Sequence, residues 1–450
     1  MAARARRVLV VLAAAAAACA ALARATAGPR GQLLRVDLGS CNNQNLTQLL
    51  WGHVAARQPD AWLWGGDNIY ADARPRSAAD WYRLITEEPK RLARGPRGFF
   101  YPTYLEKLEL LYKIQKQEPG YAAVRKLVGK ENILAIWDDH DYGLNDAGKE
   151  VWSMDFQNAF LDFVDAPADD VRRERRGIYE VRDLADGAIR FILLDNRSFR
   201  DSYDNTQGDM LGEAQWAFLE EALATSKARF NVIVSGVQVF PEQRLRRAAE
   251  NWMRFPAARE RLLRMLSQST AQGVFFVSGD VHFSELLAAK CSCSNGVHFS
   301  VGEFTSSGMT HSWKTYPALM RWAMYAAHRM LPFQYSLDKV YLGRSFGEFD
   351  FDEASMTTRA FDIHGDVVFE HVWRLDELKP AKAGKDCQCL PVRGPHPAPA
   401  VENLMIAAWV IATLLPLVAL VYLVYVLTCF ACRGRSHPVG AHKVDTKKDC

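Results

Sequence analysis

Short apolar runs ending in glycine or aspartate recur along the chain: LLRVDLG at 33–39, AWLWGG at 61–66, ILAIWDD at 133–139, IRFILLD at 189–195, FNVIVSG at 230–236 and GVFFVSGD at 273–280. Runs of this length predict strands buried on both faces, and folds built from such strands place ligands at their carboxyl ends. Between them, Gly212 to Ser226 and Pro256 to Ser269 carry the amphipathic period of helices, the second opening with proline at a favoured first-turn position. Towards the end the alternation stops, and AFDIHGDVVFEHVW predicts a hairpin turning near His364 and Gly365. No repeat or low-complexity break interrupts Leu33 to about Asp376. The pattern predicts one α/β domain.

The two ends differ from this body. An arginine-rich start, an apolar stretch and Ala25-Thr26-Ala27 predict a signal peptide over 1–27. The body is then expected over 28–376, followed by a proline-rich linker at 377–403. Leu404 to Phe430 is an uncharged run long enough to cross a bilayer, and Arg433 and Arg435 come directly after it. These features predict a type I membrane protein with a transmembrane helix at 404–430 and a short cytoplasmic tail at 431–450. The closing KKDC puts Lys447 and Lys448 in a pattern like the retrieval signal of the endoplasmic reticulum and early Golgi, with the cell surface or vacuole as the alternative.

With 450 residues, 49% of them hydrophobic and 24% charged, the chain can bury a large core. A net charge of +3 gives no footprint for nucleic acid. Five cysteines, Cys41, Cys291, Cys293, Cys387 and Cys389, fall in the expected lumenal part, the last two in the linker. The CSC and CQC pairs could bridge the linker to the body, with connectivity left open, and Cys41 is then the unpaired thiol.

Polar chemistry gathers where the apolar runs end. Cys41 comes after the first strand, Asp67 and Tyr70 lie in GGDNIYAD, Asp138, Asp139, His140 and Asp141 in WDDHDYGLND, and Asp280 and His282 in SGDVHFSE. A single aspartate after a strand is commonly a helix cap or turn residue. Carboxylates converging on one sheet edge, however, need cations, and metal ions are the simplest solution.

The ordered set GSC, GDNIYAD, WDDHD, LLDNRSFRD, QWAFLE, SGDVHFSE and EFTSSGMTHSW, spanning about Leu33 to Val372, resembles the alkaline phosphatase D (PhoD-like) branch of the calcineurin-type metallophosphoesterases. The resemblance implies a four-layer α-β-β-α sandwich and a binuclear or larger metal centre. Carried over, Asp67 would bridge two metals, Cys41, Tyr70 and His282 would bind one of them, and Asp139 and Asp280 the other. Thiolate, phenolate and imidazole suit iron, and carboxylates suit calcium, with other divalent metals as alternatives. The reaction implied is attack by a metal-bound hydroxide on a phosphate monoester or diester, with His140 stabilising the transition state or protonating the leaving group. Arg197 is expected to offer a planar fork for phosphate, against a plain pairing with Asp195 or Asp201. Asp138 and Asp141 are expected to orient His140 or a ligand, and Gln238, where many metallophosphoesterases carry histidine, to bind water or substrate or act as a spacer. Against the pattern of bacterial relatives, the chain is expected to do without their extra N-terminal β-domain, which would leave a more open mouth.

The rival readings are a phospholipase-type phosphodiesterase acting on lipid headgroups and a non-catalytic metal-binding pseudo-enzyme. Of the sequons at Asn45 and Asn196, the second lies within a site motif and is expected to stay unglycosylated. The aromatic and methionine-rich stretch Ser312 to Tyr335 reads as core packing or as a substrate- or membrane-facing surface.

Overall fold

The computed structural model describes residues 32–415, apart from 76, 93–97, 206, 242–249, 332–333, 382, 384–385, 396 and 399, together with Tyr422. The expected signal peptide, the cytoplasmic tail and most of the expected span beyond 415 lie outside the described residues. In the body, all the strands anticipated from the apolar runs form: β1 (Gln32–Gly39), β2 (Ala61–Gly65), β3 (Ile133–Ile136), and, after a short β4 (Glu180–Leu184), β5 (Ile189–Leu193), β6 (Phe230–Val234) and β7 (Val274–Ser278). The later part of the chain adds β8 (Ser284–Cys293), β9 (His298–Ser306), β10 (Ser336–Tyr341), β11 (Phe346–Asp352), β12 (Ser355–Phe361), β13 (Val367–Arg374) and β14 (Cys387–Pro391).

These strands make two sheets. The first has the order β13-β12-β11-β1-β2-β3, and the second runs β10-β8-β9-β7-β6-β5-β4 with β14 also on β8. In the first, β1, β2 and β3 are parallel; in the second, β5, β6, β7 and β9 are parallel. The apolar runs are continuous because both faces are covered. Phe230, Val232 and Val234 of β6 enter one core with Phe349 and Phe351 of β11, while Ile233 enters a second core with Trp216, Leu219 and Leu262. Successive side chains of one strand thus serve the space between the sheets and the space under the helices Gly212–Ala224 and Pro256–Gln268. Ring contacts such as Phe230–Phe351 at 5.4 Å and Phe275–Phe349 at 5.8 Å cross between the two sheets. On the outer side of the first sheet, Trp51 of the helix Trp51–Arg57 and Tyr121 of Pro119–Val128 pack on Trp62 and Trp64 of β2. The architecture is a mixed α/β fold with paired sheets between helices.

The hairpin at 355–374 forms as expected, with Gly365 in the left-handed region at its turn. Within the expected linker, residues 387–391 form β14, and Cys387 and Cys389 bridge Cys293 and Cys291 across the β8–β14 pair, tying this stretch to the body. Leu378 and Lys379 are buried as well. Proline content misleads there because alternating C-Q-C-L needs only one neighbouring edge to become a strand, and the two disulfides supply its anchorage.

The described residues fall into two compact units, one within 32–316 with 334–395 and the other within 317–331 with 397–415 and Tyr422. Within the described part of the second unit, the helix Ala318–Met330 and a helix over 400–415 are joined by the Trp409 indole, which donates to the Ala323 carbonyl at 2.9 Å. Among the described residues no helix is long and apolar enough to cross a membrane.

Candidate metal centre

The strand ends fold into one site because backbone bonds knit their loops together. The Cys41 amide donates to the Gly66 carbonyl, Asn42 to Asp67, and Met309 to Ser40. The glycines of the GGD and SGD motifs permit this approach. A Cβ on Gly66, at φ +98°, would stand 2.7 Å from the Asp138 Cβ, and one on Gly279 would stand 2.6 Å from Ser40 Oγ. Cys41, Asp67, Asp280 and His282 themselves adopt left-handed φ values between 52° and 70°. Such backbone costs about 1–3 kcal/mol per non-glycine residue, and it concentrates where side chains must be aimed.

One carboxylate organises the cluster. Asp67 Oδ2 accepts from Tyr70 Oη at 3.0 Å and lies 3.5 Å from Cys41 Sγ, while Tyr70 Oη is 3.3 Å from His282 Nε2. On the other side, Asp67 Oδ1 and Asp139 Oδ1 both accept from the His140 amide. Donor atoms of Cys41, Asp67 and His282 fall within 4.8 Å of one another, and so do those of Asp138, Asp139 and Asp280. Asp67 therefore stands between a sulfur-, phenol- and imidazole-lined group and an oxygen-lined one.

This donor set fits metal ions. Burial pushes the Cys41 thiol up to about 12, aided by Asp280 and opposed by hydrogen bonds from Ser307 and Ser40. Burial likewise raises Asp67 and Asp280 well above the carboxylate range, each with further carboxylates adding to the rise. Groups held this way become anions only against a cation. Asp139 behaves differently: burial would raise it, but His140, Arg197 and the Asp146 amide hold it at about 2.

His140 is oriented by a residue the sequence motif contains but does not single out. Its Nδ1 lies 2.8 Å from Asp72 Oδ1, and its ring stacks on Tyr70 at 4.1 Å. Burial works against its charge, yet Asp72, Asp139 and Asp67 outweigh burial and raise its pKa well above the usual histidine value. Three more partners come from EFTSSGMTHSW and the turn immediately after it. Ser307 Oγ is 2.9 Å from Cys41 Sγ and accepts from the His282 amide; Tyr316 Oη meets His282 Nδ1; the His311 ring lies 4.4 Å from that of His282. Their only signal in the sequence was proximity to a site motif.

The remaining expected residues lie elsewhere in the network. Asp141 accepts from the Asn68 amide, the Asn68 side chain and the Asp138 amide, so it fixes the loop carrying Asp67. Arg197 is corrected as a phosphate fork. Its side chain is fully buried and is filled by Asp138 and, through both terminal nitrogens, by Glu250. Asp195 and Asp201 are not its ion-pair partners; Asp195 instead accepts from the Arg197 backbone. Gln238 is buried too, donating to Glu285 and Thr305, which makes it part of the packing beneath the site. The physical reason is shared: a long polar side chain just beyond a central strand reached neighbouring carboxylates before it reached solvent.

A family model for PhoD-like phosphatase matches residues 37–359. Among solved structures, the chain is similar to a structure of PhoD at 14% identity, covering 86% of this chain and 78% of that one with a TM-score of 0.53. It is also similar to GAP50, the anchor in the inner membrane complex of Plasmodium, at 11% identity over 82% of this chain and 100% of that one, with a TM-score of 0.40. At 14% identity the likeness to PhoD speaks to fold alone, and no curated protein sequence matches. The family match covers β2 to β11 and every strand end that carries the candidate ligands, and on it the chain belongs to the PhoD-like phosphatase family of metal-dependent phosphoester hydrolases.

Proposed function

We propose that the chain is a lumenal, membrane-tethered phosphoesterase acting on phosphate monoesters or diesters at a centre of two or more metals, iron with calcium fitting the donors best. The carrying observation is the convergence of Cys41, Tyr70 and His282 beside one oxygen of Asp67, with Asp139 sharing the His140 amide beside its other. Cys41, Tyr70, His282 and Asp67 would hold the iron, and Asp67, Asp139 and Asp280 the second ion. When bound, the metals would activate a water as nucleophile and draw charge from a phosphoryl oxygen.

The chain's own groups do the rest. Asp72 holds His140 by Nδ1 and keeps it charged, leaving Nε2 to deliver a proton to the departing alkoxide. Tyr70 fixes the plane of that imidazole from one side. Arg74, exposed and close enough to lower the pKa of His282 and His311, supplies a positive charge at the mouth for incoming phosphate. The lumenal reading is supported by the disulfides Cys291–Cys389 and Cys293–Cys387, which belong to an oxidising compartment, and by the apolar segments at both ends of the sequence. Retention of the full donor set argues against a pseudo-enzyme.

The test is to purify the full chain, determine its metals and visible absorption, and compare aryl phosphate with bis-aryl phosphate turnover for wild type and Asp67→Asn. Bound iron, colour and turnover lost in Asp67→Asn are expected; a folded, colourless, metal-free and inactive wild type would overturn the proposal. Cys41→Ala should lose the coloured metal, and Cys41→Ser should retain it weakly.

A further inference from the structure

The excursion between residues 73 and 104 leaves the body beside the catalytic histidine and returns to it. At its base, Ala73 and Tyr101 exchange backbone hydrogen bonds at 3.0 and 2.6 Å. The preceding residue, Asp72, binds His140, and the Phe100 ring lies 5.4 Å from the His140 ring. Arg91 stacks on Tyr101 and donates to the Phe100 carbonyl, so the returning strand is held firmly. The excursion is thus continuous with the site.

Its outer part has an unusual surface for a soluble loop. The helix Ala78–Thr86 starts with a complete capping box between Ser77 and Asp80 and buries only Leu84. Trp81, Tyr82 and Ile85, which fall within one arc of that helix, are 40%, 69% and 55% exposed, and Trp81 contacts the exposed Phe99 ring at 5.7 Å. Basic residues accompany them: among the described residues of this stretch, Arg74, Arg83, Lys90 and Arg91 stand against Asp80, Glu87 and Glu88. Of these, Arg74, Arg83 and Lys90 are exposed. Asp80 is spent in the capping box and Glu88 on Arg91, leaving Glu87 as the opposing surface charge, 4.0 Å from Arg83. Amphipathic rings with a basic surround match the chemistry of an anionic bilayer interface, where rings enter the headgroup region and cations meet lipid phosphates.

We infer that the helix Ala78–Thr86, with the exposed Arg74 and Lys90 on either side of it, is a lipid-docking element that seats the mouth of the site on an anionic membrane surface, with Trp81, Tyr82 and Ile85 as the inserted group. The inference rests on the phosphoesterase reading above for its significance, since it directs the site towards phosphate esters lying in a bilayer. The docking itself is measurable without turnover.

The experiment is hydrogen–deuterium exchange on the full chain reconstituted into phosphatidylcholine vesicles with and without about 30 mol% phosphatidylglycerol, tracking peptides over residues 77–92. Exchange should slow about threefold or more with phosphatidylglycerol, and Trp81→Ala/Tyr82→Ala/Ile85→Ala should abolish that slowing. A second variant, Arg83→Glu/Lys90→Glu, leaves the apolar residues in place and should also lose the dependence on anionic lipid, which keeps the test decisive if the triple variant misfolds. Equal exchange in both vesicle types would overturn the inference. Protection that instead rises with protein concentration in detergent would assign the surface to a second copy and overturn it equally. Aryl phosphate and bis-aryl phosphate turnover by wild type are measured in the same vesicles: absence of both would remove the phosphoesterase reading while leaving the exchange result to stand or fall alone.

Discussion

Tyr316 Oη lies 2.7 Å from His282 Nδ1, while the other nitrogen of the same ring, Nε2, stands 3.3 Å from Tyr70 Oη within the ligand cluster. The phenol oxygen can accept from Nδ1–H, which leaves the Nε2 lone pair for a metal.

Tyr316→Phe removes that orienting bond without touching a ligand. Metal affinity should fall by about tenfold, the lower end of the usual range for such partners. Chelator competition measures it directly, and Tyr316→His should restore part of the loss.

Asp72→Asn should move the basic limb of the kcat profile to lower pH. His140 must be protonated to serve as an acid, so activity falls as pH rises through its pKa. Burial already opposes its charge, and removing the Asp72 carboxylate deletes the largest of the charges that raise that pKa. Stability has the same sign: the raised folded pKa contributes stability that is complete below the unfolded value and lost as pH rises through the folded one. A pH series of kcat on aryl phosphate checks the shift; an unmoved limb would exclude His140 as the acid.

Stripping the metals should make the protein sensitive to rising pH. Burial raises Asp67 and Asp280 well above their ordinary values and pushes Asp138 up to about 7 in spite of Arg197. For an acid whose folded pKa is raised, the native state binds more protons, so stability falls as pH climbs from the unfolded value towards the folded one. Bound cations remove this dependence. The gap in Tm between metal-loaded and chelated protein should therefore widen between pH 5 and pH 8, as read by differential scanning calorimetry over that range.

Arg197→Met should act on stability. It leaves Asp138 and Glu250 buried without their shared cation, a loss of about 3–5 kcal/mol for a broken buried pair. Denaturant unfolding measures it. A variant of wild-type stability with KM alone raised would restore the phosphate-fork role.

Glycosylation in a secretory host should use Asn45 and omit Asn196. Asn45, Leu46 and Thr47 lie on an exposed turn, whereas Asn196 is buried and accepts from Ser235 Oγ and the Gly236 amide. Asn45→Gln should remove the one glycan seen by mass spectrometry at these two sites, and Asn196→Gln should leave the glycan pattern unchanged.

The strands and the ligand motifs were legible because each is a local pattern. FNVIVSG and GVFFVSGD read as buried strands from their apolar continuity, and they became the parallel pair β6 and β7. The long β8–β9 pair was harder, since SELLAAKCSC mixes an apolar run with exposed Lys290 and Ser292. β14 was unreadable in a proline-rich context, because it exists only where β8 offers an edge and two cysteines to meet it.

By itself the sequence determined the α/β class, the strand ends bearing Cys41, Asp67, Asp139, Asp280 and His282, and the surplus thiol, because apolar periodicity and residue chemistry are properties of short segments. Only the tertiary structure decided which groups share a neighbour. It turned Arg197 from the solvent towards Asp138 and Glu250, gave His140 to Asp72, brought Ser307 and Tyr316 to ligands far away in the chain, and paired Cys291 with Cys389 and Cys293 with Cys387. The reason is that a buried charge takes the partner that desolvation and geometry leave within hydrogen-bond reach, and distance along the chain has no bearing on that reach.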